Sequence, residues 1–421
     1  MKLHFVGIGG IGTSGLAQFC AANGDIISGS NLGQNPIFEM LQREGFHNLY
    51  DTHDAYNLPT DADLLIYSEA IPETNPERER AKELGIKEKS YFEYLGELSH
   101  EYKTIAVAGT HGKTTTTGLI TAGFNNCDFD ATILVGSTLD ILDGKNFKDG
   151  NNKFLLVEAC EYRDNFKFLK PDILLITNLE WDHADFFKNE EEYFAAFTRL
   201  AAKSKNVLYH QGDEAARNLL ENIDTNKRPI PQQSANNWEA ILNVWGTANQ
   251  QNATLALALA HMLELNLDTF KEGLGHYKGA GRRQEFLGEH QALQVFDDYG
   301  HHPTEIRATL EAFRAQFPQS KIGLIYEPHQ YSRTRQFFAE FADAFRLADY
   351  TALFPIYEAR DTEEDKVAVS LEDFVNDNSN LNLVSTIDEA QAFTKKLNNG
   401  DILLFMGAGK ISQFAHKFIT E

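Results

Sequence analysis

Short apolar runs alternate with helical stretches along most of the chain. In the first hundred residues, apolar runs at 3–6, 26–28 and 64–67 surround a stretch at 11–22 that has helical spacing. Further apolar runs occupy positions 104–108, 154–157, 173–177, 293–296, 321–326, 350–354 and 401–405. Strands that alternate with helices form parallel sheets, so the pattern predicts an α/β fold.

The chain is too long for a single core. It has 421 residues, whereas one core stops growing at roughly 250 to 300 residues. A buried strand from Thr104 opens a second unit, an Ala- and Leu-rich helix follows at 249–265, and four glycines within 273–281 indicate a hinge. We therefore predict three domains, at 1–100, 101–279 and 280–421. The charge run at 361–365 is expected to be an exposed loop.

Composition restricts the classes of partner and the compartment. The 61 acidic and 38 basic side chains give a formal net charge of −23, which opposes binding to nucleic acid. Cys20, Cys127 and Cys160 form no C-x-x-C pair, which is typical of a reducing cytoplasm. No apolar run approaches the roughly 20 residues of a membrane helix, and the N-terminus lacks the features of a signal peptide. We expect a cytoplasmic protein without membrane insertion.

The strongest chemical signal is a glycine-rich turn between the strand at 104–108 and a helix predicted from about Thr115. The turn reads Gly109, Thr110, His111, Gly112, Lys113, Thr114. Glycines let backbone amides approach a phosphate, lysine adds a charge, and the threonine hydroxyl can bind Mg²⁺. We therefore predict a phosphate-binding loop for ATP, although Val107 stands where a standard Walker loop begins with glycine.

A second glycine loop follows the first strand, at residues 7–12. It resembles a dinucleotide fingerprint, but the second strand ends in Ser28, Gly29, Ser30 and Asn31, without the acidic residue that holds a ribose. We predict a site for a diphosphate of the UDP-sugar or dinucleotide type.

Four polar segments follow later strands. Glu158 and Glu161 follow one strand of the central unit, and Asp182 and His183 follow the next, where carboxylate and imidazole suit a Mg²⁺ site. In the third unit, residues 297–303 and 327–335 concentrate polar, aromatic and cationic side chains, a composition suited to recognising carboxylate or phosphate groups.

Taken in order along the chain, these motifs resemble the Mur ligases of peptidoglycan synthesis. The resemblance covers nearly the whole chain and includes residues 67–71 with Asn75, Pro76 and Glu77, and residues 246–252. It implies a Rossmann-like N-terminal domain, a central P-loop-type ATPase domain and a Rossmann-like C-terminal domain. It also implies ATP and Mg²⁺ as cofactors, UDP-N-acetylmuramate and L-alanine as substrates, and a monomer or homodimer.

The resemblance assigns roles to individual residues. ATP would contact Gly109, Thr110, His111, Gly112, Lys113, Thr114, Thr115, Asn249, Asn252, Arg282 and Asp297. The UDP-sugar would contact Gly9, Gly10, Ile11, Gly12, Ser30, Ser68 and Ala70. The metal would be held by Thr114, Glu158 and His183, and the amino acid by Tyr299, His301 and Arg333. The catalytic set would be Lys113, Glu158, His183, His301 and Arg333, acting on an acyl-phosphate intermediate.

Three positions depart from the usual family pattern. Cys160 and Lys410 stand where aspartate is more usual, and Gln330 stands where many relatives have arginine. The chain is also short, so some loops are expected to be trimmed. Three alternatives stay open: a murein peptide ligase that attaches a tripeptide to the same sugar, which residues 179–185 favour; a nicotinamide oxidoreductase; and a catalytically silent UDP-sugar-binding regulator.

Overall fold

The protein is described by a computed structural model that covers residues 1–151, 153–231, 238–359, 361–377 and 381–420. Three sheets follow one another along the chain, which confirms the predicted α/β class. By their internal contacts, residues 1–237 with 251–277 form one compact unit, and residues 238–250 with 278–421 form another. The division falls inside the glycine-rich segment 273–281. The three predicted domain boundaries stay predictions.

The first sheet is entirely parallel, with strand order β3-β2-β1-β4-β5. Its strands are β1 (Lys2–Val6), β2 (Ile26–Ser30), β3 (Leu49–Tyr50), β4 (Leu64–Tyr67) and β5 (Lys87–Ser90). Its helices are α1 (Ile11–Ala22), α2 (Pro36–Arg43), α3 (Pro76–Leu84) and α4 (Tyr91–Glu101). Asparagine side chains cap α2 and α3, and proline occupies the first turn of both, which explains where these two helices begin.

The second sheet has seven strands in the order β12-β11-β10-β6-β9-β7-β8, and only the β7–β8 pair is antiparallel. Its strands are β6 (Lys103–Ala108), β7 (Thr132–Leu139), β8 (Lys145–Lys148), β9 (Phe154–Glu158), β10 (Ile173–Ile176), β11 (Asn206–His210) and β12 (Asn226–Ile230). The helices of this part are α5 (Lys113–Asn126), α6 (Glu190–Lys203), α7 (Glu214–Leu220), α8 (Thr247–Met262) and α9 (Leu267–Leu274). The inner strands read as continuous apolar runs because both faces of the sheet are covered.

The third sheet has the order β13-β14-β18-β15-β16-β17, with β13 and β14 antiparallel and the other pairs parallel. Its strands are β13 (Glu285–His290), β14 (Leu293–Asp298), β15 (Ile322–Tyr326), β16 (Tyr350–Leu353), β17 (Leu381–Leu383) and β18 (Ile402–Met406). Its helices are α10 (Pro303–Gln316), α11 (Tyr331–Gln336), α12 (Phe338–Phe345), α13 (Glu363–Val367), α14 (Leu371–Asp377), α15 (Ile387–Thr394) and α16 (Ile411–Thr420).

Two local expectations are wrong. Helix α5 begins at Lys113 rather than near Thr115, because Gly112 adopts a left-handed φ of +83° and acts as the N-cap. The charge run at 361–365 is not a loop throughout, since Thr362 and Asp365 form a capping box that starts α13. Among the described residues, no helix combines the length and the apolar character required to cross a membrane.

The first two sheets share one hydrophobic core, and hydrogen bonds also join them. Asn146 in β8 donates to the Ser14 hydroxyl of α1 at 3.1 Å and accepts from Gln18 at 3.0 Å. Lys145 forms an ion pair with Glu44 at 2.8 Å. The helix that follows the first glycine loop is therefore fixed against the sheet that carries the phosphate loop.

Candidate functional site

The phosphate loop is held at the carboxyl end of β6 by the segment that follows β10. The His111 amide donates to the Asn178 side-chain oxygen at 3.0 Å, and the Asn178 amide group donates back to the His111 carbonyl at 2.9 Å. Gly109 has φ +135°, and a Cβ there would lie 2.0 Å from the Thr177 hydroxyl. Only glycine fits this position, so the loop conformation is set by β10 as well as by its own sequence.

Lys113 lies over its own loop. Its Nζ donates to the carbonyls of Gly109 at 2.6 Å and Thr110 at 3.0 Å, and it lies 2.9 Å from both carboxylate oxygens of Glu161. Burial disfavours the ammonium ion, but the Glu161 carboxylate outweighs it and raises the pKa of Lys113 above its ordinary value. The lysine is therefore a fixed positive charge.

Two carboxylates, Glu158 at the end of β9 and Glu161 after it, contact different sets of partners. Glu158 accepts from the Thr114 hydroxyl at 2.9 Å and from the Gly136 amide at 2.7 Å. Glu161 lies 3.1 Å from His183 Nε2 in addition to its contact with Lys113. Burial alone would raise the pKa of Glu161, but the Lys113 charge and the His183 hydrogen bond lower it, so the carboxylate is ionised.

The structure brings four of the predicted residues of the central unit together: Lys113, Thr114, Glu158 and His183. Glu161 completes the cluster. The sequence placed it with Glu158 in the polar segment after β9, but the family resemblance assigned it no role. Its position after a buried strand was the only signal, and that signal did not distinguish the two acids. Cys160 contributes no thiolate, because burial raises its pKa to about 12.

Tyr91, the first residue of α4, packs against the first glycine loop. A Cβ at Gly12 would lie 2.9 Å from the Tyr91 ring. Burial of the Tyr91 phenol, together with the negative charge of Glu158, raises its pKa. The N-terminus of α4 therefore lies beside the N-terminus of α1.

The first glycine loop follows β1. The Thr13 hydroxyl donates to the Gly7 carbonyl at 2.6 Å, and Asn35 donates to the Gly9 carbonyl at 3.1 Å. Helix α1 has no side-chain cap at Gly10, so the first amides of the helix are suited to an anion. Ser68 and Ala70 follow β4 in the same sheet.

Ser30 already has partners within the protein. Its hydroxyl donates to Glu77 Oε2 at 2.7 Å and contacts His53 Nδ1 at 2.9 Å. A hydroxyl has one proton, so Ser30 must accept from His53, whose proton then lies on Nδ1. Glu77 also lies 2.7 Å from His4 Nε2, and both of these side chains are fully buried. The predicted contact of Ser30 with a UDP-sugar stays a prediction, and its hydroxyl also holds His53 in place.

In the second unit, the predicted residues gather at the carboxyl ends of β14 and β15. Arg282 Nε lies 3.2 Å from Asp297 Oδ2, and the guanidinium lies 4.9 Å from the centre of the Tyr299 ring. The rings of Tyr299 and His301 are 5.5 Å apart. These contacts unite the predicted ATP residues of this unit with two of the predicted amino-acid residues.

Arg333 contacts His329, and His329 lies beside His301 of the cluster described above. Arg333 is buried, and its Nη1 lies 3.4 Å from His329 Nδ1. The His329 ring lies 5.8 Å from that of His301 and stacks on Tyr357 at 5.4 Å. His329 was not among the predicted site residues, although it belongs to the motif at 327–335.

The two predicted asparagines lie on α8. Asn252 packs against the phosphate loop, because a Cβ at Gly112 would lie 2.8 Å from its side-chain oxygen. Asn249 donates to the Trp245 carbonyl at 2.7 Å. Thr115 is buried one turn into α5.

Two departures from the family pattern have structural explanations. Gln330 has φ +71° and donates from its amide to the Ala359 carbonyl at 2.8 Å, so it anchors the loop after β16 rather than supplying a cation. At Lys410, where aspartate would cap α16, the buried Glu327 carboxylate accepts from the amides of Lys410 at 3.1 Å and Ile411 at 3.0 Å. Glu327 thus supplies the negative charge at the helix N-terminus.

The chain has three sheets flanked by helices, and a glycine-rich phosphate loop follows a strand of the second sheet. This combination is typical of nucleotide-binding α/β proteins. Comparison with known families divides the chain in the same way. Residues 2–103 match the Mur ligase family catalytic domain, residues 107–253 the Mur ligase middle domain, and residues 282–409 the Mur ligase glutamate ligase domain.

Full-length relatives agree. The chain is 35% identical over 452 aligned positions to the UDP-N-acetylmuramate–L-alanine ligase of Clostridium acetobutylicum, covering 100% of this chain and 98% of that protein. The crystal structure of the UDP-N-acetylmuramate-alanine ligase of Thermotoga maritima matches with a TM-score of 0.81 and 28% identity, covering 100% of this chain and 98% of the other. A murein peptide ligase from Psychrobacter arcticus shares the fold, with a TM-score of 0.73, 21% identity and the same coverage. The chain belongs to the Mur ligase family.

Proposed function

We propose that this chain is an ATP-dependent ligase that joins L-alanine to the carboxylate of UDP-N-acetylmuramate in cytoplasmic peptidoglycan precursor synthesis. The observation that carries the proposal is the arrangement of Lys113 and Thr114 beside Glu161 and Glu158, in a sheet against which Asn146 fixes the helix that follows the first glycine loop. A phosphate loop and a diphosphate-type loop in one compact unit suit a reaction between ATP and a nucleotide sugar.

The residues near Thr114 fit a magnesium ion. Mg²⁺ prefers oxygen ligands, and the Thr114 hydroxyl and the Glu158 carboxylate lie within 2.9 Å of one another. We propose that Thr114, Glu158 and His183 hold the ion. Thr114 contacts Glu158, and His183 contacts Glu161 in the same segment as Glu158. When bound, Mg²⁺ would neutralise charge on the ATP phosphates.

The reaction that the family resemblance implies has two steps. The muramate carboxylate attacks the γ-phosphorus of ATP, and cleavage of the β–γ bond releases ADP and leaves an acyl phosphate. The alanine amine then attacks the acyl carbon, the amide bond forms, phosphate leaves, and the amine loses a proton. Lys113 stabilises the phosphoryl oxygens in the first step because it is a buried, permanent cation.

The amino-acid carboxylate is assigned to Arg333. A guanidinium matches a carboxylate with two parallel hydrogen bonds, and Arg333 is kept in one orientation by His329. We propose that Tyr299 and His301 border the same pocket, and that Arg282 and Asp297 contact ATP.

The test is ADP release by the purified protein with UDP-N-acetylmuramate and either L-alanine or the murein tripeptide. The proposal predicts turnover with L-alanine and formation of the amide product. Turnover with the tripeptide alone would identify a murein peptide ligase instead, and the absence of ADP release with both would reject an ATP-dependent ligase of this pathway.

A further inference from the structure

We propose that Glu161 is an internal counter-ion of Lys113, which takes the place of a phosphate beside this lysine and must release it when nucleotide binds. This inference rests on the proposed use of ATP. It assigns Glu161 as a positioning residue that lowers the affinity for nucleotide while it keeps Lys113 and His183 aligned.

The hydrogen bonds of Lys113 provide the first argument. An ammonium group has three protons, and Lys113 Nζ has three partners: the Gly109 carbonyl, the Thr110 carbonyl and Glu161. The two carbonyls belong to the loop itself. A phosphate oxygen can therefore bind this lysine only by replacing one of the three. Of these partners Glu161 alone carries a negative charge, so it competes most directly with a phosphate for the ammonium group.

The burial of the Lys113–Glu161 pair determines how strongly Glu161 competes with a phosphate for the lysine. Glu161 is only 3% exposed, and it lies 2.9 Å from Lys113 through both of its oxygens. Breaking a buried ion pair is costly because one charge is left uncompensated. A bound phosphate would satisfy Lys113, and His183, which lies 3.1 Å from Glu161, is the partner left to the carboxylate.

The backbone around the cluster supplies an independent argument. Arg163 and Asp164, directly after Glu161, both adopt left-handed φ values, at +54° and +57°. His183 on the opposite segment is also left-handed, at +58°. Such conformations are unfavourable for residues other than glycine and concentrate at functional sites. Both segments that position Glu161, the one after β9 and the one that contains His183, therefore contain residues in unfavourable backbone conformations.

The experiment measures the dissociation constant of ADP by calorimetry. Each titration is performed with and without Mg²⁺, for the full chain and for its variants. Glu161→Gln keeps the size of the side chain and removes its charge. We expect metal-free ADP to bind about 3- to 10-fold more tightly, because the competitor for Lys113 is lost and one repelling charge is removed. The KM for ATP should fall by more than kcat changes, because Glu161 has already released Lys113 in the nucleotide-bound enzyme.

Glu180→Gln is the matched control. Glu180 pairs with His111 of the same loop at 3.2 Å and is more exposed than Glu161, so this variant removes a nearby negative charge without touching the Lys113 pair. We expect its ADP affinity to change by less than about twofold. An equal gain in both variants would mean that general electrostatics, and not the Lys113 pair, controls affinity, and would overturn the proposal.

Unchanged or weaker ADP binding by a folded Glu161→Gln protein would also overturn the proposal, because a purely supporting residue would give that result. If this variant does not fold, Glu161→Asp replaces it. Its shorter carboxylate cannot span Lys113 and His183 together, so a smaller gain in ADP affinity is expected, and no gain refutes the idea. Failure of the unaltered protein to bind any ADP or ATP would instead reject the proposed function.

Discussion

Replacing Glu77 by glutamine tests the buried network beneath the first glycine loop. Four donors surround the Glu77 carboxylate: His4 Nε2 at 2.7 Å, the Ser30 hydroxyl at 2.7 Å, the Asp54 amide at 3.2 Å and His53 Nδ1 at 3.3 Å. Glutamine retains one acceptor oxygen but turns the other into an NH₂ group, which faces two of these donors. The Ser30 hydroxyl can rotate, whereas the Asp54 amide can only donate. Each histidine nitrogen can accept only if the ring carries its proton on the other nitrogen, which in His4 faces the Ser28 hydroxyl.

The magnitude follows from the number of donors that lose their acceptor. A buried donor without a partner costs about 1–3 kcal/mol, so one to two such donors give an expected loss of about 2–4 kcal/mol. Because each 1.4 kcal/mol is a factor of ten, amide hydrogen exchange in β1 and α3 should accelerate by about 30- to 1000-fold. Exchange reports on β1 and α3 themselves, whereas a global unfolding curve of a chain with several domains combines the transitions of all of them.

Glu79→Gln is the control for this experiment. Glu79 lies on the same helix and is exposed, so the substitution should change stability by less than about 0.5 kcal/mol. Equal exchange rates in Glu77→Gln and Glu79→Gln would refute the reasoning, because the four contacts would then contribute no net stability. A further expected result is weaker binding of the UDP-sugar by Glu77→Gln, since Ser30 and His53 lose their common partner.

Three further outcomes are expected. Lys113→Ala should abolish ADP release while UDP-sugar binding, followed by calorimetry, persists; a loss of both would place the lysine in the fold rather than the reaction. Gly123→Ala should lower the melting temperature although alanine favours helices, because its Cβ would lie 2.3 Å from the Phe270 ring and overpacking costs about 1–3 kcal/mol; a higher melting temperature would contradict this. Burial raises the pKa of Asp298 to about 6, so the native state binds more protons than the unfolded state between about pH 4 and 6 and loses stability as pH rises through that window. Denaturant titrations of Asp298→Asn should show a weaker pH dependence there, and an unaltered dependence would count against the shift.

The sequence alone predicts most of the central site. A strand that ends in Gly109 and a helix that starts with Lys113 are local features, because backbone freedom at glycine and helix capping act over a few residues. The ordered motifs were sufficient to identify the family, which the comparisons confirmed. The start of α5 was misplaced by two residues, because the left-handed conformation of Gly112, which ends the loop and begins the helix, is set by the folded loop.

Tertiary structure decided which side chains pair. Lys113 and Glu161 are 48 positions apart in the chain, and His4 and Glu77 are 73 apart. Sheet order brings them together, and a sequence pattern fixes which face a residue takes but not which strand lies beside it.

The roles of individual residues changed for the same reason. Gln330 looked like a missing cation, yet the fold uses it to anchor the loop at Ala359. The sequence therefore determined the α/β class, the phosphate loop and the family, since these depend on local spacing and motif order. Only the tertiary structure could separate Glu161 from Glu158, because the partner of a buried charge depends on which segments the sheet places within hydrogen-bond distance.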